Sequence, residues 1–411
     1  MNISENILKT LYGEKAEAQK KRYEALAEKF TGLYGEGDIR FFSAPGRTEV
    51  GGNHTDHNHG RVMAAAVDLD VIAAVREEEG SVVRVKSEGF PEDVVDISDL
   101  SVKEAEKNTS SALIRGVAAG FKNAGLPVKG FTAYTTSNVL KGSGLSSSAA
   151  FEVLIGTIFS YLCGSNVDSV KIAQIAQYAE NVYFGKPSGL MDQMASSVGG
   201  FITIDFEDTE NPVIESIPFD FGGSGYSLCI VDTKGNHADL TPEYAAIPAE
   251  MKSVAEFFGK NYLREITREQ LTENIAAVRE KCGDRAVSRA YHFFDDNDRV
   301  GREASALKNG DINEFLWLVT ESGNSSFKYL QNIFPVKSPG EQGLVLGLYT
   351  AEKILGGRGA VRVHGGGFAG TIQAFVPNNL LDNYRNALEN IFGEGSCYVL
   401  SIRPVGGVEI K

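Results

Sequence analysis

The feature that most constrains the fold of this 411-residue chain is the segment KGSGLSSSAA at residues 141–150. It follows a strand-like run at Phe131–Thr135 and opens an apolar helical pattern, so it predicts a strand, a glycine turn and a helix. Backbone N–H groups at such a helix start lack partners and favour an anion, and serine hydroxyls add hydrogen-bond donors and an oxygen ligand for Mg²⁺. The segment is not a Walker loop, because no Gly-Lys-Ser/Thr closes it. A helix merely capped by serine after a flexible turn remains the alternative.

The remaining patterns indicate a mixed α/β protein. Strands are predicted at Ile39–Ala44, Val62–Val75, Val82–Val85, Phe131–Thr135, Gly200–Phe206, Ala360–Val363 and Thr371–Val376. Helices are predicted as an amphipathic segment within residues 1–36, after Gly144, and at Ser169–Tyr183, Glu250–Phe258, Glu269–Lys281, Asp311–Ser322, Glu341–Leu355 and Leu380–Phe392. The pattern breaks between Glu207 and Pro218, and a chain of this length exceeds one ordinary core. We therefore expect two domains, at residues 1–210 and 211–411.

Composition narrows the class of protein. The net charge of −14 argues against a nucleic-acid partner, which would require an excess of Lys and Arg. The hydrophobic share of 42% and charged share of 23% are ordinary for a soluble protein, and no apolar run approaches the roughly 20 residues that cross a bilayer. The N-terminal segment lacks the pattern of a signal peptide, and the four dispersed cysteines suit a reducing compartment. We expect a cytoplasmic protein without a membrane partner; the sequence leaves the oligomeric state open, a monomer being compatible with it.

A polar cluster lies between the first two predicted strands, at residues 43–60. Its polar side chains are those of Arg47, Asn53, His54, Asp56, His57 and His59. Polar side chains among glycines favour a binding loop over a core. Two other interpretations stay open: a zinc site, for which the histidine spacing is too crowded, and a purely solvated loop.

Two further segments contribute candidate residues. His364–Gly370, read as HGGGFAG, lies between two predicted strands and would wrap closely around a ligand or another part of the backbone, although a tight turn is the structural alternative. Glu180 and Asp192 are candidates for one metal ligand and one proton acceptor, whereas isolated carboxylates are usually solvated.

Together these segments resemble the GHMP kinases, most closely the galactokinases. The galactokinase signature reads roughly Gly-Arg-x-Asn-x-Ile-Gly-Glu-His-Thr-Asp-Tyr-Asn, and Gly46–Asn58 is similar to it. Residues 142–150 resemble the family's ATP loop, 189–193 its segment with the catalytic aspartate, and 365–370 its third signature, with Ala369 in place of one glycine. The resemblance implies a two-domain α/β (α+β) fold with an N-terminal domain like ribosomal protein S5, a ferredoxin-like C-terminal domain, and the active site between them. It also implies phosphorylation of a galactose-type sugar at its anomeric hydroxyl, with ATP and Mg²⁺.

The resemblance also implies residue roles. Arg47 would stabilise the transferred phosphoryl group and Asp192 would accept the proton of the sugar hydroxyl. The implied sugar site comprises Asn53, His54, Thr55, Asp56, Gly189 and Tyr244. The implied ATP site comprises Gly142, Ser143, Gly144, Leu145, Ser146, Ser147 and Ser148, and the implied Mg²⁺ ligands are Ser148 and Glu180.

One departure from the signature bears on the substrate. Asn53 stands where galactokinases have the Glu that lies near the sugar 6-hydroxyl, and His57, His59 and Arg61 add basic groups nearby, with roles the sequence does not assign. An uncharged Asn would tolerate an acidic C6, as in galacturonate, which a Glu would repel. Galactose nevertheless remains the leading expectation. A sugar and ATP sensor without catalysis is a further alternative, disfavoured because residues 148–150, Arg47 and Asp192 are all intact.

Overall fold

A computed structural model describes residues 3–139, 144–235 and 240–411 of the chain. The strands in chain order are β1 Arg40–Gly51, β2 Arg61–Glu77, β3 Val82–Ser87, β4 Glu92–Asp96, β5 Phe131–Ser137, β6 Phe201–Asp205, β7 Val213–Ile217, β8 Tyr226–Asp232, β9 Ala360–His364, β10 Thr371–Pro377, β11 Cys397–Leu400 and β12 Val408–Ile410. The helices are α1 Glu5–Tyr12, α2 Ala16–Tyr34, α3 Ser110–Asn123, α4 Ser147–Leu162, α5 Ser169–Tyr178, α6 Met191–Val198, α7 Thr241–Phe257, α8 Arg268–Glu273, α9 Ile275–Cys282, α10 Asp284–Lys308, α11 Ile312–Ser325, α12 Gly343–Leu355 and α13 Leu381–Phe392.

The first sheet is built around the long strands β1 and β2, which are buried on both faces over most of their length, and β2 is rich in Ala and Val. Its order is β12-β1-β2-β5-β3-β4, and β6 and β7 extend it from β2. Helices α1 and α2 pack on one face, where Phe41, Ile72 and Tyr134 point. Helices α3, α4 and α5 cover the other face, where Phe42, Ala73 and Ala133 point. Because consecutive side chains of a strand face opposite sides, both layers are built from the same strands.

The second sheet is antiparallel, with the order β11-β8-β10-β9. Helix α12 lies in the connection between β8 and β9, and α13 lies between β10 and β11. This arrangement is the βαββαβ topology of ferredoxin-like domains, as predicted. Helices α7 to α11 are inserted in the first crossover, and α10 and α11 contact β1 of the first sheet. Helix α11 therefore bridges the two sheets, because it contacts both β1 of the first sheet and β9 of the second.

Several predicted elements differ from the observed ones. Residues 207–218, where the pattern breaks and the domain boundary is predicted, contain β7, a largely exposed edge strand. The segment Glu269–Lys281 forms two helices, which meet at Asn274, and α7 begins before Glu250 and contains Pro248. The N-terminal segment forms two helices separated by a 3₁₀ turn rather than one. Helices α3, α6 and α10 and strands β4, β8, β11 and β12 were not predicted.

The first sheet takes strands from both sides of the predicted division at residue 210, because β7 and β12 belong to it. Strand β12 pairs with β1 from Phe41 to Ser43. The boundary between residues 210 and 211 stays a prediction.

Candidate active site

Arg47 lies near the end of β1, beside an irregularity in the pairing of β1 with β2 between Pro45 and Arg47. Its backbone N–H donates to Leu145 O at 3.0 Å, and its guanidinium donates to Gly144 O. A Cβ added at Gly46 would lie 2.8 Å from Leu145 O, so glycine permits this close approach. Arg47 thus joins the strand to the loop that precedes α4.

Asp192 lies in the first turn of α6 and forms an ion pair with Arg47, in which Nε and Nη2 both lie 2.7 Å from Asp192 Oδ1. Its Oδ2 accepts a hydrogen bond from Ser146 Oγ at 2.6 Å. Partial burial alone would raise the pKa of Asp192, but the Arg47 charge and the bonds from Arg47 and Ser146 outweigh it and lower that pKa. Asp192 is therefore a fixed, ionised carboxylate.

Ser146 precedes α4 and adopts a left-handed backbone with φ of 57°. Such a conformation is costly for a residue with a side chain and is often found at functional sites. The Ser146 hydroxyl bonds Asp192 rather than capping the helix. Among the described residues, the Ser146 side chain does not cap α4, so the N–H groups of its first turn, at Ser147 and Ser148, are candidates for binding a phosphate.

The predicted ATP loop is described only in part. Gly144 is exposed with φ of 74°, and Leu145 is buried in the core. Gly142 and Ser143 lie outside the described residues. The described portion lies against Arg47 and Asp192, as a loop that holds a nucleotide's phosphates opposite a sugar would require.

Glu180, the other predicted Mg²⁺ ligand, lies in a π-helical turn at Ala179–Phe184 and is 3% exposed. Its Oε2 accepts from Ser188 Oγ at 2.6 Å and from Gln193 Nε2 at 2.8 Å, and its Oε1 lies 3.1 Å from Lys186 Nζ. Gln193 also donates to Glu152, a buried acid whose pKa is raised well above its ordinary value by burial and by Glu180. A carboxylate and a hydroxyl are ligands of the kind Mg²⁺ prefers, so Glu180 and Ser148 fit the ion chemically.

We define the sugar loop as residues 52–56. A Cβ added at Gly189 would lie 3.3 Å from Asp56 Oδ2, so this loop touches the segment that carries Asp192. His54 Nε2 lies 3.0 Å from the carbonyl of Gly366, which can only accept, so Nε2 carries the proton. Burial and neighbouring His57 lower the pKa of His54 to about 4. The ring is therefore neutral at pH 7, and its Nδ1 is an acceptor for a hydroxyl group.

Asn53 does not point toward a substrate in this structure. It is fully buried, and Nδ2 donates to Glu49 Oε1 at 2.9 Å and to Gly365 O at 2.8 Å. Its Oδ1 accepts from Asn332 Nδ2 at 2.9 Å and Ser326 Oγ at 3.2 Å. Every hydrogen-bonding position of the amide is thus occupied within the fold, and a direct contact of Asn53 with the sugar stays a prediction.

The Thr55 side chain is also occupied within the fold. It is fully buried, and its hydroxyl lies 2.8 Å from Gly52 O and 2.6 Å from Arg61 O. The hydroxyl therefore shapes the sugar loop from within, and within that loop His54 and Asp56 are the predicted sugar contacts that remain partly exposed.

The glycine loop at residues 364–370 closes this side of the site. Gly365 and Gly367 have φ of 68° and 80°, and Tyr244 of α7 donates its hydroxyl to Gly367 O at 3.0 Å. Two adjacent carbonyl groups of this glycine loop accept hydrogen bonds from the site: Gly366 O accepts from His54 of the sugar loop, and Gly367 O accepts from Tyr244 of α7.

The basic residues near the sugar loop have different surroundings. His59 stacks on Tyr262 with ring centroids 3.6 Å apart, and Arg61 pairs with Asp205. His57 is exposed, with Nε2 3.6 Å from Asp56 Oδ1. Across residues 3–139, 144–235 and 240–411 no group of three or more His, Cys, Asp or Glu is placed to hold a metal ion. The geometry therefore gives the zinc interpretation no support.

Sequence reasoning missed the residues that hold the sugar loop from behind. On α10, His292 Nε2 donates to Asn53 O at 2.8 Å, and Asp296 Oδ2 accepts from Asn53 N at 2.7 Å. Glu49 is paired with Arg362 of β9 at 2.9 Å. In the sequence, this arrangement is indicated by the comparison with the signature, which has Asn at position 49 and Glu at position 53, whereas this chain has Glu49 and Asn53.

Comparison with known proteins agrees with this geometry. The family described as "GHMP kinases N terminal domain" matches residues 112–200, and the "Galactokinase galactose-binding signature" matches residues 28–77. A galactokinase of Streptomyces coelicolor is 31% identical over 369 residues, which are 89% of this chain and 92% of that protein. The chain belongs to the galactokinase family. A galactokinase of Actinobacillus pleuropneumoniae is likewise 31% identical, over 90% of this chain and 93% of its own length.

Solved structures of the family share the fold. The crystal structure of Lactococcus lactis galactokinase complexed with galactose has a TM-score of 0.79 at 26% identity, over 94% of this chain and 99% of that one. A mevalonate kinase shares the fold alone, with a TM-score of 0.63 at 14% identity. The predicted two-domain GHMP kinase fold is confirmed. No helix within the described ranges is long and apolar enough to span a membrane.

Changing Asn53 to aspartate should lower the free energy of unfolding by about 3 kcal/mol, because a carboxylate would replace the amide donor beside Glu49 and Gly365 O. Urea unfolding followed by circular dichroism at pH 7 measures the loss. Asn379→Asp, on an exposed turn, is the matched control and should unfold like the native protein. Unchanged stability of Asn53→Asp would contradict the hydrogen-bond assignment at position 53.

Proposed function

We propose that this protein is a galactose 1-kinase, which transfers the γ-phosphoryl group of ATP to the anomeric hydroxyl of galactose and releases ADP and galactose 1-phosphate. The single observation that carries the proposal is the position of Asp192. It bonds Ser146 of the predicted phosphate loop and Arg47 of β1, and its own segment touches Asp56 of the sugar loop. A proton acceptor at this junction lies between the nucleotide and sugar sides of the site.

The reaction follows from these positions. The anomeric oxygen forms a bond to the γ-phosphorus, the bond from that phosphorus to the bridging oxygen of ADP breaks, and the hydroxyl proton passes to Asp192. Arg47 provides positive charge beside the transferred group, because phosphoryl transfer is catalysed mainly by positioning and charge stabilisation. A Mg²⁺ ion held by Ser148 and Glu180 would supply further positive charge to the phosphate oxygens. His54 Nδ1 and the Asp56 carboxylate accept hydrogen bonds from sugar hydroxyls.

The charges around the sugar loop favour a neutral sugar. His54 is held neutral and Asp56 contributes a negative charge, whereas the charge of Asp192 is paired with that of Arg47. Asn53, whose lack of charge suggested an acidic C6, is occupied within the fold. A galacturonate carboxylate would therefore meet the Asp56 carboxylate and no cation among residues 52–56.

We expect kcat/KM for galactose to exceed that for galacturonate by more than about tenfold, which corresponds to roughly 1.4 kcal/mol of discrimination. ADP release with a panel of hexoses, N-acetylhexosamines and uronic acids measures this ratio. A preference for galacturonate would overturn the choice of sugar but keep the kinase. ADP release that does not depend on any sugar, or no turnover at all, would favour the sensor alternative.

The proposal includes ATP and the sugar as partners and a cytoplasmic location. The described cysteines are free thiols, which suits a reducing compartment. The acidic balance of the chain gives no support to a nucleic-acid partner.

A further inference from the structure

One face of α10 carries a buried row of ionisable side chains beneath the sugar loop. The row consists of His292, Asp296, Arg299 and Glu303, which are spaced so that they share one side of the helix. The first two bond the backbone of Asn53, and Arg299 donates to Asp296. Glu303 lies one turn further along α10, where its side chain meets Gly51, the last residue of β1.

Glu303 has surroundings unlike those of the other acids in the row. It is fully buried, and among the residues the structure describes neither of its carboxyl oxygens has a hydrogen-bond partner. Burial and the charge of Asp296 raise its pKa to about 8, against the opposing charges of Arg362 and Arg299, with Glu49 adding to the rise. The carboxyl group is thus protonated at neutral pH and acts there as a space-filling group.

Gly51 provides the room for this carboxyl group. A Cβ added at Gly51 would lie 2.8 Å from Glu303 Cδ and closer still to one of its oxygens. Gly51 is absent from the positions with positive φ, so its backbone suits any residue and glycine is required by space alone. The galactokinase signature has Ile at this position, so Glu303 occupies the space in which that side chain would lie.

This chain differs from the galactokinase signature at positions 49, 51 and 53, which are every second residue along β1 and the residues that follow it. Alternate residues of an extended chain face the same side, and these three contact one another or the same neighbours. Glu49 pairs with Arg362, Gly51 meets Glu303, and Asn53 bonds Glu49. The signature has an amide at position 49 and a carboxylate at position 53, and this chain has the reverse. The signature's Ile at position 51 is replaced by Gly51, and Glu303 of α10 fills the space beside it. These positions form one interdependent unit behind the sugar loop.

We propose that Glu303 is a positioning residue for the sugar loop, because its carboxyl group fills the space beside Gly51 and thereby sets where residues 52–56 lie. This proposal rests on the proposed galactose kinase activity. Ionised Glu303 would place a further negative charge next to Asp296 and Glu49, which Arg362 and Arg299 already neutralise in part. The strand end would then shift away from α10, and the loop would bind galactose less well.

The test compares KM and kcat for galactose at pH 7 and pH 9 in the native protein and in Glu303→Gln, at saturating ATP. If only the protonated form binds well, the native KM should rise about tenfold between the two pH values, because the competent fraction falls by that factor. Glu303→Gln keeps the shape without the titration, so its KM should stay flat, while kcat changes equally in both proteins. An equal rise of KM in both proteins would overturn the proposal.

A second pair of variants tests the filled space. Gly51→Ile alone should misfold or lose galactose affinity, whereas Gly51→Ile combined with Glu303→Ala restores the residue of the signature and should regain folding and a KM that does not depend on pH. If the double variant recovers neither folding nor galactose affinity relative to Gly51→Ile, the side chain of Glu303 does not occupy the space in which the introduced isoleucine side chain would lie.

A readout without galactose separates this proposal from the proposed function. Between the ordinary glutamate pKa of 4.5 and about 8, the folded protein holds one proton more than the unfolded chain, so stability falls as pH rises through that window. The thermal unfolding midpoint of the native protein should therefore fall relative to that of Glu303→Gln between pH 5.5 and pH 8. If the midpoints differ in this way but the protein does not turn over galactose, only the proposed galactose kinase activity is rejected. If the midpoints of the native protein and Glu303→Gln change equally between pH 5.5 and pH 8, Glu303 is not protonated in the folded protein.

Discussion

Replacing Asp192 with asparagine should lower kcat for galactose phosphorylation by about 10³-fold, within the range that a positioned proton acceptor contributes. The carboxylate is fixed by Arg47 at 2.7 Å and by Ser146 at 2.6 Å. Asparagine has the same shape and can still accept a hydrogen bond, but it cannot take up the proton of the sugar hydroxyl. Steady-state ADP release in the presence of galactose measures the loss.

The affinity for ATP should remain close to native in this variant. The helix N-terminus and the backbone of the preceding loop, which we expect to bind the phosphates, are unchanged by it. Arg47 also loses its negative partner, so its charge becomes more available to a phosphate group. Calorimetric titration with ATP therefore separates a loss of chemistry from a loss of binding.

Asp208→Asn is the matched control, because it makes the same change at an exposed position away from Arg47. It should leave both kcat and ATP affinity at native values. Near-native kcat in Asp192→Asn would mean that another group accepts the proton, and the proposed role of Asp192 would be wrong.

The sequence allowed the framework of the site to be predicted. Strands β1, β2, β3 and β5 contain apolar, aromatic and β-branched residues, several of them in alternation, and such patterns predict strands directly. The glycines and serines before α4 indicated an anion site from the geometry of a helix start alone. Local patterns therefore located the segments that carry Arg47, Ser146 and Asp192.

The direction in which a side chain points could not be predicted in the same way. Asn53 lies in a signature that marks a sugar site, yet its amide bonds Gly365 and Asn332, which are about 300 residues distant in sequence. Helix α10 was missed because its charged residues resemble a solvated face, although Asp296 and Glu303 are fully buried. Long-range partners decide such cases, and no local pattern contains them.

The left-handed backbone of Ser146 is a further case. Local preference would place glycine there, but the conformation is retained because it directs the hydroxyl to Asp192. The sequence assigned Ser146 to ATP binding, and its side chain in this structure instead holds the predicted proton acceptor. The two roles are compatible, since its backbone still belongs to the phosphate loop.

Arg47→Gln should reduce kcat by about 10³-fold, the lower end of the contribution made by an arginine that stabilises a transferred phosphoryl group. Unlike Asp192→Asn, it should also raise KM for ATP, because Arg47 bonds Gly144 O and Leu145 O and so holds the phosphate loop against β1. Its backbone bond to Leu145 survives the substitution, so the chain should still fold. Initial rates over a matrix of ATP and galactose concentrations give both parameters.

Arg40→Gln, which removes an arginine paired with Glu409 at the other end of the same strand, is the control and should leave both parameters unchanged. The double variant Arg47→Gln/Asp192→Asn provides the stronger test. Residues that act as a unit lose their function once either is removed, so the double variant should be little slower than the slower single variant. If the two losses instead multiply, Arg47 and Asp192 act independently, and the ion pair between them does not organise the transfer.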